Sequence, residues 1–337
     1  MAGLHEKPIF LVSSPRSGST LFRLIMDSHP NIAVPPPAWL YDFFQPYIYS
    51  YGDTTVPENL KAMAQDMLDC PTIQRWAETF SADQLVARAP EPTFPGLYDA
   101  LHLLYAETKG KPRWGEKSPR NALWVNEIKS DFSGAQFIHL IRDGRDAAMD
   151  LAESSLFPET LYSGANVWQT WVSSIRHSAK SLSADSYLEV KYEDFCAAPE
   201  AHLRTVCDFI GEDYSPLMLQ HSETESAKHW GKSDTLHART SRPISTEYCE
   251  LYKALDENDR SLIEFLIGDL LEDLGYARSM PETTPSPHLV RQLLAADSIT
   301  LLANAAFKPE LRKRRQDRLD KGVWKTEDRE GQIWGFV

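Results

Sequence analysis

The sequence predicts an α/β fold in which helices cover both faces of a parallel sheet. Short apolar runs at 8–12, 136–141 and 187–190 each end in polar residues, and a helix-like stretch follows each of them. Strands that alternate with helices are typical of parallel sheets, whose strands are buried on both faces. The 256–274 segment begins with acidic residues, carries an apolar stripe and is followed by Gly275, which predicts a last helix that closes the domain.

The three strand–helix units can be justified in chain order. The run PIFLV at 8–12 predicts a strand, and TLFRLIMDS at 20–28 predicts a helix that stops before His29 and Pro30. QFIHLI predicts the second strand, which is followed by the polar turn RDGRD and the helix-like AAMDLAESS. YLEV predicts the third strand, followed by KYEDF and by a helix over 199–210 that begins at a proline.

Two segments lie outside these units. Residues 33–57 hold a proline run and a dense set of aromatic side chains, which indicates either a loop packed on the core or the wall of a substrate pocket. We expect one α/β domain over 1–280 and, after the linker MPETTPSP, a helical C-terminal extension over 281–337. The basic run at 312–315 fits a solvated helix face better than a site for an anion or a partner.

Composition excludes several classes of function. The 337 residues carry a formal net charge of -13, which disfavours non-specific nucleic-acid binding through net charge. No apolar run approaches the roughly 20 residues of a membrane span, and the first residues lack a signal-peptide core. The four scattered cysteines show no metal-ligand spacing, so we expect reduced thiols, a cytoplasmic location, no structural zinc and no membrane or nucleic-acid partner.

The segment from Ser14 to Thr20 carries the strongest chemical signal, because it joins a strand to a helix as a P-loop does. Small residues let backbone N–H groups point at one anion, to which the helix N-terminus is also favourable. The Walker pattern would need glycine at position 13 and lysine at position 19, where this chain has serines, so nucleotide hydrolysis with magnesium is disfavoured. The alternative is a turn that binds nothing.

Two weaker signals accompany that loop. Arg142 and Arg145 follow the strand QFIHLI, at the end of a strand where α/β sheets bind ligands, although RDGRD could equally form a structural arginine–aspartate network. Lys117 lies in WGEKSP beside a turn, where a single lysine is more often simply solvated.

Together, these features resemble the sulfotransferases that use 3′-phosphoadenosine-5′-phosphosulfate, in the branch shared by tyrosylprotein sulfotransferases and many bacterial enzymes. PRSGSTLF is similar to the 5′-phosphosulfate loop, GEKSPRN to the lysine segment and HLIRDGRD to the 3′-phosphate motif. YLEVKYEDF and the helix after it are similar to the later core, so the resemblance spans about residues 7–278. It implies a P-loop-like parallel sheet flanked by helices, with a transferase site at its edge.

The resemblance also implies a role for individual residues. The residues that would hold the 5′-phosphosulfate are Arg16, Ser17, Gly18, Ser19 and Thr20. Lys117 would stabilise the bridging oxygen, Arg142 would bind the 3′-phosphate, and Tyr192 would lie near the nucleotide. A later loop would close over the adenosine and the 3′-phosphate with Arg239, Ser241 and Arg242. Arg16 and Lys117 would therefore be catalytic, since both stabilise charge on the leaving phosphate.

The chain departs from the family pattern at two places. Relatives carry a serine that contacts the 3′-phosphate where this chain has Asp150, so either Ser154 or Ser155 substitutes or the aspartate turns away. The tyrosylprotein branch has a catalytic glutamate shortly after the equivalent of His29-Pro30, whereas NIAVPPPAW contains no acid. Asp42 is the nearest acid downstream, and it would be either a general base or a helix-capping residue.

We therefore expect a sulfotransferase that moves a sulfuryl group from 3′-phosphoadenosine-5′-phosphosulfate to a hydroxyl or amine of a small molecule without a metal ion. An amine or guanidine-like nitrogen would need less help from a base than a hydroxyl. A P-loop small-molecule kinase and a nucleotide-binding pseudoenzyme are the alternatives.

Overall fold

Five parallel strands form one sheet in the computed structural model, which describes residues 4–154, 160–233, 239–293 and 295. The strand order is β2–β3–β1–β4–β5. The strands are β1 (Ile9–Val12), β2 (Ile32–Ala33), β3 (Arg113–Glu116), β4 (Gln136–Ile141) and β5 (Tyr187–Lys191). The chain places β2 and β3 on one side of β1 and then β4 and β5 on the other, so the order reverses beside β1.

Helices cover both faces of this sheet. As far as residue 273, the α-helices of the described residues are α1 (Ser19–Asp27), α2 (Leu40–Phe44), α3 (Pro57–Leu68), α4 (Ala82–Arg88), α5 (Phe94–Thr108), α6 (Val125–Asp131), α7 (Gly144–Ala152), α8 (Leu161–Ala179), α9 (Tyr192–Ala197), α10 (Pro199–Ile210), α11 (Glu225–Ser233) and α12 (Glu257–Asp273). The described part of the chain also contains 3₁₀ helices at Gln45–Tyr51, Ile73–Arg75, Pro119–Leu123, Pro216–Glu223, Thr246–Tyr248 and Leu251–Ala254, and a 3₁₀ turn over 239–241.

The predicted fold class is confirmed, and the three predicted strands are β1, β4 and β5. The predicted helices at 20–28, 199–210 and 256–274 correspond to α1, α10 and α12. Sequence patterns did not identify β2 and β3, because β2 has two residues and β3 reads Arg-Trp-Gly-Glu instead of an apolar run.

Alternation along the strands divides the core between the two faces of the sheet. Phe10 packs among the aromatic rings of Tyr98, Trp114 and Phe137, whereas Ile9 and Leu11 pack under α1 and α10 on the other face. Both faces are buried, which is why β1 is apolar throughout.

The aromatic segment after β2 is mainly core. Tyr41, Phe43 and Phe44 lie on α2 and are buried, and the Tyr41 hydroxyl donates to Asp131 at 2.9 Å. The loop-packing interpretation therefore holds for these three rings. Tyr49, on the following 3₁₀ helix, is 73% exposed and is therefore not part of the core.

Arg145 is the structural half of the RDGRD turn. Its guanidinium is buried and forms ion pairs with Asp143 and Glu264, both at 2.7 Å, and it stacks 3.8 Å from the centre of the Tyr252 ring. Three charges that are buried together satisfy one another, so this arginine holds α7 against α12.

The C-terminal part of the chain leaves α12 along its own surface. Glu264 accepts hydrogen bonds from the backbone N–H groups of Ser279 and Met280, which ties the chain to the domain as far as residue 280. Residues 281–286 have no regular structure and 287–293 are helical. The basic run at 312–315 lies outside the described residues, and the domain boundary at 280 stays a prediction.

No helix in the described part of the chain is both long enough and apolar enough to cross a membrane.

Candidate active site

The predicted site residues follow the carboxyl ends of four strands. The loop from Ser13 to Gly18 follows β1, Lys117 follows β3, Arg142 follows β4 and Tyr192 follows β5. Since all four strands are parallel, these residues lie along one edge of the sheet. That edge beside β1, where the strand order reverses, is the place where open α/β sheets bind ligands.

The loop after β1 has a backbone suited to an anion. Arg16 and Gly18 have positive φ angles of 64° and 82°, and α1 begins at Ser19 directly afterwards. Such alternation of backbone conformation turns successive N–H groups toward one point, and the helix N-terminus adds a favourable field. The hydroxyls of Ser14 and Ser17 are 2.8 Å apart and buried, which fixes the inner side of the loop.

Arg142 and Tyr192 hold the loop from the side of β4 and β5. Arg142 Nη1 donates to the backbone oxygen of Arg16 at 2.9 Å. A Cβ added to Gly18 would lie 2.4 Å from the Tyr192 ring, so the ring packs directly on the glycine. The Arg142 guanidinium lies 5.5 Å from the centre of that ring. The structure thus brings these two predicted residues together with the phosphate loop.

Lys117 approaches the loop from the side of β3. Its Nζ donates to Thr20 Oγ1 at 3.2 Å, and the side chain is buried. Burial, and after it the nearby charges of Arg23 and Arg16, lower the pKa of Lys117 to about 7, although the charge of Glu116 opposes the change. A lysine that burial and neighbouring cations both destabilise as an ion is one that a bound anion would stabilise.

Glu116 fixes the segment that carries Lys117. Its carboxylate accepts hydrogen bonds from Ala38 N, Ser118 N, the Ser118 hydroxyl and the Asn121 amide. Burial raises the pKa of Glu116 to about 7, and the hydrogen bonds from Ser118 and Ala38 together with the charge of Lys117 limit the rise. Both carboxylate oxygens of Glu116 accept hydrogen bonds from protein donors, so Glu116 fixes the position of the segment after β3 that carries Lys117.

Asp150 pairs with the arginines. Its carboxylate accepts a hydrogen bond from Arg142 and lies 3.9 Å from Arg239 Nη1, so it does not turn away. The Ser154 hydroxyl donates to Leu151 O at 2.8 Å, which commits it to its own helix end. Ser155 lies outside the described residues.

The predicted closing loop reaches the site through Tyr248. The Tyr248 backbone oxygen accepts a hydrogen bond of 2.9 Å from Arg142 Nη2, and Arg239 stacks 4.2 Å from the Tyr248 ring centre. Arg242 Nη1 donates to the Tyr248 hydroxyl at 2.9 Å, and Ser241 is half-buried on the same segment. Arg239 therefore lies next to Asp150 and Arg142, whereas Arg242 is one tyrosine side chain further out.

Asp42 lies in the first turn of α2. Its Oδ1 accepts hydrogen bonds from Arg120 Nε at 2.8 Å and from Trp124 Nε1 at 3.3 Å. Burial raises the pKa of Asp42, and both partners oppose that rise. The carboxylate thus bonds two side chains of the segment after Lys117 instead of capping the backbone of its own helix.

Sequence reasoning missed three contributors. Arg23 is buried in α1 and donates to Val34 O at 2.8 Å, and an arginine inside an otherwise apolar helix was the available signal. Glu116 stands directly before Lys117, but only the folded chain brings its donors together. The Tyr248 backbone oxygen has no sequence signal. Among the described residues, no group of three or more His, Cys, Asp or Glu could hold a metal ion.

Comparison with known proteins places these features in one family. Residues 8–216 match the sequence model described as "Sulfotransferase family". A putative protein-tyrosine sulfotransferase of Caenorhabditis briggsae is 25% identical over 233 residues, which are 68% of this chain and 74% of that protein.

Solved structures show the same fold. The sulfotransferase domain of the Synechococcus PCC 7002 olefin synthase has a TM-score of 0.54 and 21% identity, over 78% of this chain and 95% of that one. The sulfotransferase domain of the curacin biosynthetic pathway also has a TM-score of 0.54, with 18% identity over 83% of this chain and 99% of that one.

The contact between Gly18 and Tyr192 predicts a large cost for Gly18→Ala. Any non-glycine residue with a left-handed backbone costs roughly 1–2 kcal/mol, and the added methyl group would also collide with the ring. Gly110→Ala is the matched control, because Gly110 has a φ of 64° and open space around it. In urea unfolding we expect Gly18→Ala to lose at least about 2 kcal/mol more than Gly110→Ala. Equal losses would show that the ring does not press on the loop.

Proposed function

The chain belongs to the sulfotransferase family and is an enzyme that uses 3′-phosphoadenosine-5′-phosphosulfate, and we propose that it transfers the sulfuryl group to a hydroxyl or amine of a small molecule. The observation that carries this proposal is the arrangement of the phosphate loop, Lys117, Arg142 and Tyr192 along the carboxyl edge of one parallel sheet. A nucleotide with phosphate groups at its 5′ and 3′ positions needs N–H donors and cations at both. The loop and Lys117 offer them for the 5′ group, and Arg142 offers a cation for the 3′ group.

We assign the 5′-phosphosulfate to the loop and the catalytic cations to Arg16 and Lys117. When an acceptor displaces the sulfuryl group in line, negative charge grows on the oxygen that stays with the phosphate. A cation beside that oxygen stabilises the transition state more than the ground state. Lys117 suits this role because its amine is held against Thr20 at the start of α1. The remaining catalysis would be positioning, which needs no metal ion.

We assign the 3′-phosphate to Arg142 and Arg239, with Tyr192 beside the nucleotide. Arg142 bonds to the loop backbone at Arg16, so a ligand held by the loop has its next cation close by. Ser241 and Arg242, on the segment that carries Arg239, would contribute to closing the site. These roles come from the family resemblance and from the neighbourhood of the side chains.

A small-molecule acceptor is favoured over a protein tyrosine by one departure from the tyrosylprotein pattern. The segment NIAVPPPAW lacks the acid that the tyrosylprotein branch places there. Protein tyrosine is the second candidate, because curated relatives such as the Caenorhabditis briggsae protein carry that name. A panel of phenols, alcohols, amines and tyrosine-containing peptides with labelled donor separates the two.

The general base has two candidates among nearby acids, and geometry discriminates between them. Glu116 has a pKa of about 7, which suits a base, but four donors surround its buried carboxylate and no acceptor could reach it. Asp42 retains more access, although Arg120 shares its carboxylate. We therefore propose either that Asp42 is the base for a hydroxyl acceptor or that the acceptor is a nitrogen, which needs less help.

We also propose a cytoplasmic location. Its support is that Cys70, Cys196, Cys207 and Cys249 are free thiols, as expected in a reducing compartment.

The loop assignment is tested with Arg16→Ala. Loss of one charge-assisted contact should cost about 1.5–3 kcal/mol, so 3′-phosphoadenosine-5′-phosphate should bind roughly ten- to a hundredfold more weakly in calorimetry. Arg204→Ala, at an exposed arginine of α10, is the control. Unchanged binding by Arg16→Ala would refute the loop assignment.

Sulfuryl transfer should persist in excess EDTA, because the proposed mechanism uses no metal ion. Activity that is lost in EDTA and restored only by magnesium would favour the kinase alternative.

Asp42→Asn tests the base. The substitution keeps the shape and removes the basicity, so turnover of a hydroxyl acceptor should fall by about 100-fold or more while donor binding stays unchanged. Asp53→Asn, at an exposed aspartate, serves as the control. If Asp42→Asn turns over a proven hydroxyl acceptor normally, both branches of the proposal are wrong and another residue is the base.

The low pKa of Lys117 predicts pH-dependent binding. In the free protein Lys117 loses its proton as the pH rises through about 7. A bound phosphate anion favours the protonated form and raises that pKa, so binding above pH 7 must take up a proton. The affinity for 3′-phosphoadenosine-5′-phosphate should therefore fall by up to about tenfold per pH unit above 7. Calorimetry in two buffers of different ionisation enthalpy measures the uptake, which should vanish in Lys117→Met. Uptake that persists in Lys117→Met would assign the titration to another group.

A further inference from the structure

Asp150 already occupies the space between the two arginines that we assign to the 3′-phosphate. Its carboxylate bonds to Arg142 and lies 3.9 Å from Arg239 Nη1. A carboxylate held by two guanidinium groups has the same recognition chemistry as a phosphate held by two guanidinium groups. The aspartate thus provides, within the chain, the anion that this pair of arginines would otherwise take from a ligand.

The second anion of the cluster differs from Asp150 in how firmly it is held. Asp146 lies 3.9 Å from Arg142 Nη2, is fully buried and accepts a hydrogen bond from Tyr252 N at 2.8 Å. Asp150 is 11% exposed, and its ion pairs go to the two arginines. Asp146 is therefore fixed to the backbone, and Asp150 is the anion that can exchange.

Charge balance shows what a ligand phosphate would meet. Arg142 and Arg239 contribute two positive charges, and Asp146 and Asp150 contribute two negative charges, so the cluster is formally neutral. A phosphate monoester carries a charge of about -1.5 to -2 near pH 7. It would enter a neutral cluster and face a carboxylate that competes for the same N–H donors. With a serine at position 150 the same cluster would carry a charge of +1.

We propose that Asp150 determines donor specificity at the nucleotide's 3′ position, by competing with the 3′-phosphate for Arg142 and Arg239. This inference rests on the proposed function. The 3′-phosphate gains contacts with both arginines only as Asp150 gives them up. Its net contribution to affinity is therefore small, and the enzyme discriminates weakly between nucleotides with and without this phosphate.

The backbone around the cluster can tolerate the exchange. Arg142 keeps its bonds to the backbone oxygens of Arg16 and Tyr248 when Asp150 leaves, so the guanidinium stays in place for an incoming phosphate. Arg239 is 45% exposed and stacks on the Tyr248 ring, so it can turn from the carboxylate to a ligand at little steric cost.

The test compares two nucleotides that differ only in the 3′-phosphate. Calorimetry with 3′-phosphoadenosine-5′-phosphate and with adenosine 5′-phosphate gives an affinity ratio for each protein. We expect a ratio below about ten for the wild type, and a ratio at least tenfold higher for Asp150→Ser and Asp150→Asn. Asp150→Glu keeps the competing charge and should keep the wild-type ratio. Glu153→Gln removes one negative charge from an exposed position at the end of the same helix and should also leave the ratio unchanged.

Each outcome decides a different statement. If the affinity ratio does not rise in either neutral variant, or rises equally in Glu153→Gln, the role of Asp150 is overturned and the proposed function is not affected. Absence of binding of both nucleotides to the wild type overturns the proposed function as well. If circular dichroism shows that both neutral variants are unfolded, the wild type decides: a ratio below about ten supports the inference, and a higher ratio overturns it.

Discussion

Parallel pairing of β1 with both β3 and β4 is the constraint on which the site depends. The pairing aligns Phe10 with Glu116 on one side and Val12 with His139 on the other. The residues that follow these strands therefore reach the phosphate loop from two sides. An antiparallel β3 would place Lys117 at the opposite edge, about 13 Å away for a strand of four residues. The backbone ladder thus performs most of the positioning, and the side chains need only be of the right type.

Burial of cations around that loop creates one electrostatic problem with two solutions. Lys117 can release its proton, and its lowered pKa shows how burial and two neighbouring arginines favour that release. An arginine cannot be neutralised in this way, because its guanidinium stays protonated in proteins. Arg142 is therefore paired with carboxylates, and Asp150 and Asp146 hold its pKa above the ordinary value although burial alone would lower it. The residue type at each strand end thus decides how the free enzyme reduces the buried positive charge. The lysine can lose its proton, whereas the arginine needs a carboxylate counter-ion within the chain.

The RDGRD turn shows how far sequence reasoning reaches. Local pattern identified the strand before the turn and the charged pair within it, because apolar runs and charge clusters can be read without knowing the fold. The local pattern could not show which of Arg142 and Arg145 forms the structural ion pairs and which contacts the loop after β1. That difference depends on Glu264, more than a hundred residues away, which pairs with Arg145 and leaves Arg142 to the loop. The structural-network interpretation holds for Arg145, whereas Arg142 contacts the loop after β1 and stays the predicted ligand-binding arginine of the turn.

The same limit explains the missing strand β3. A strand that contains Arg113 and Glu116 does not look buried, since charged side chains are rarely found in a core. Arg113 is satisfied by backbone oxygens of Lys7 and Ile210, and Glu116 by donors from Ala38, Ser118 and Asn121. These partners exist only after the sheet has formed. The charged residues of β3 therefore hide the strand from a prediction based on composition. One of them, Glu116, also positions the segment that carries Lys117.

The segment after β2 is fastened to the segment that carries Lys117. Four hydrogen bonds that join the two are Ala38 N to Glu116 at 3.3 Å, Trp39 N to the Ser118 hydroxyl at 2.8 Å, Arg120 Nε to Asp42 at 2.8 Å and Trp124 Nε1 to Asp42 at 3.3 Å. These bonds set α2 relative to Lys117, so residues 38–42 have little freedom to move against the segment that carries the lysine. The next segment, Gln45–Tyr51, has no buried residue and carries the exposed Tyr49, so its side chains can vary without disturbing the geometry around Lys117.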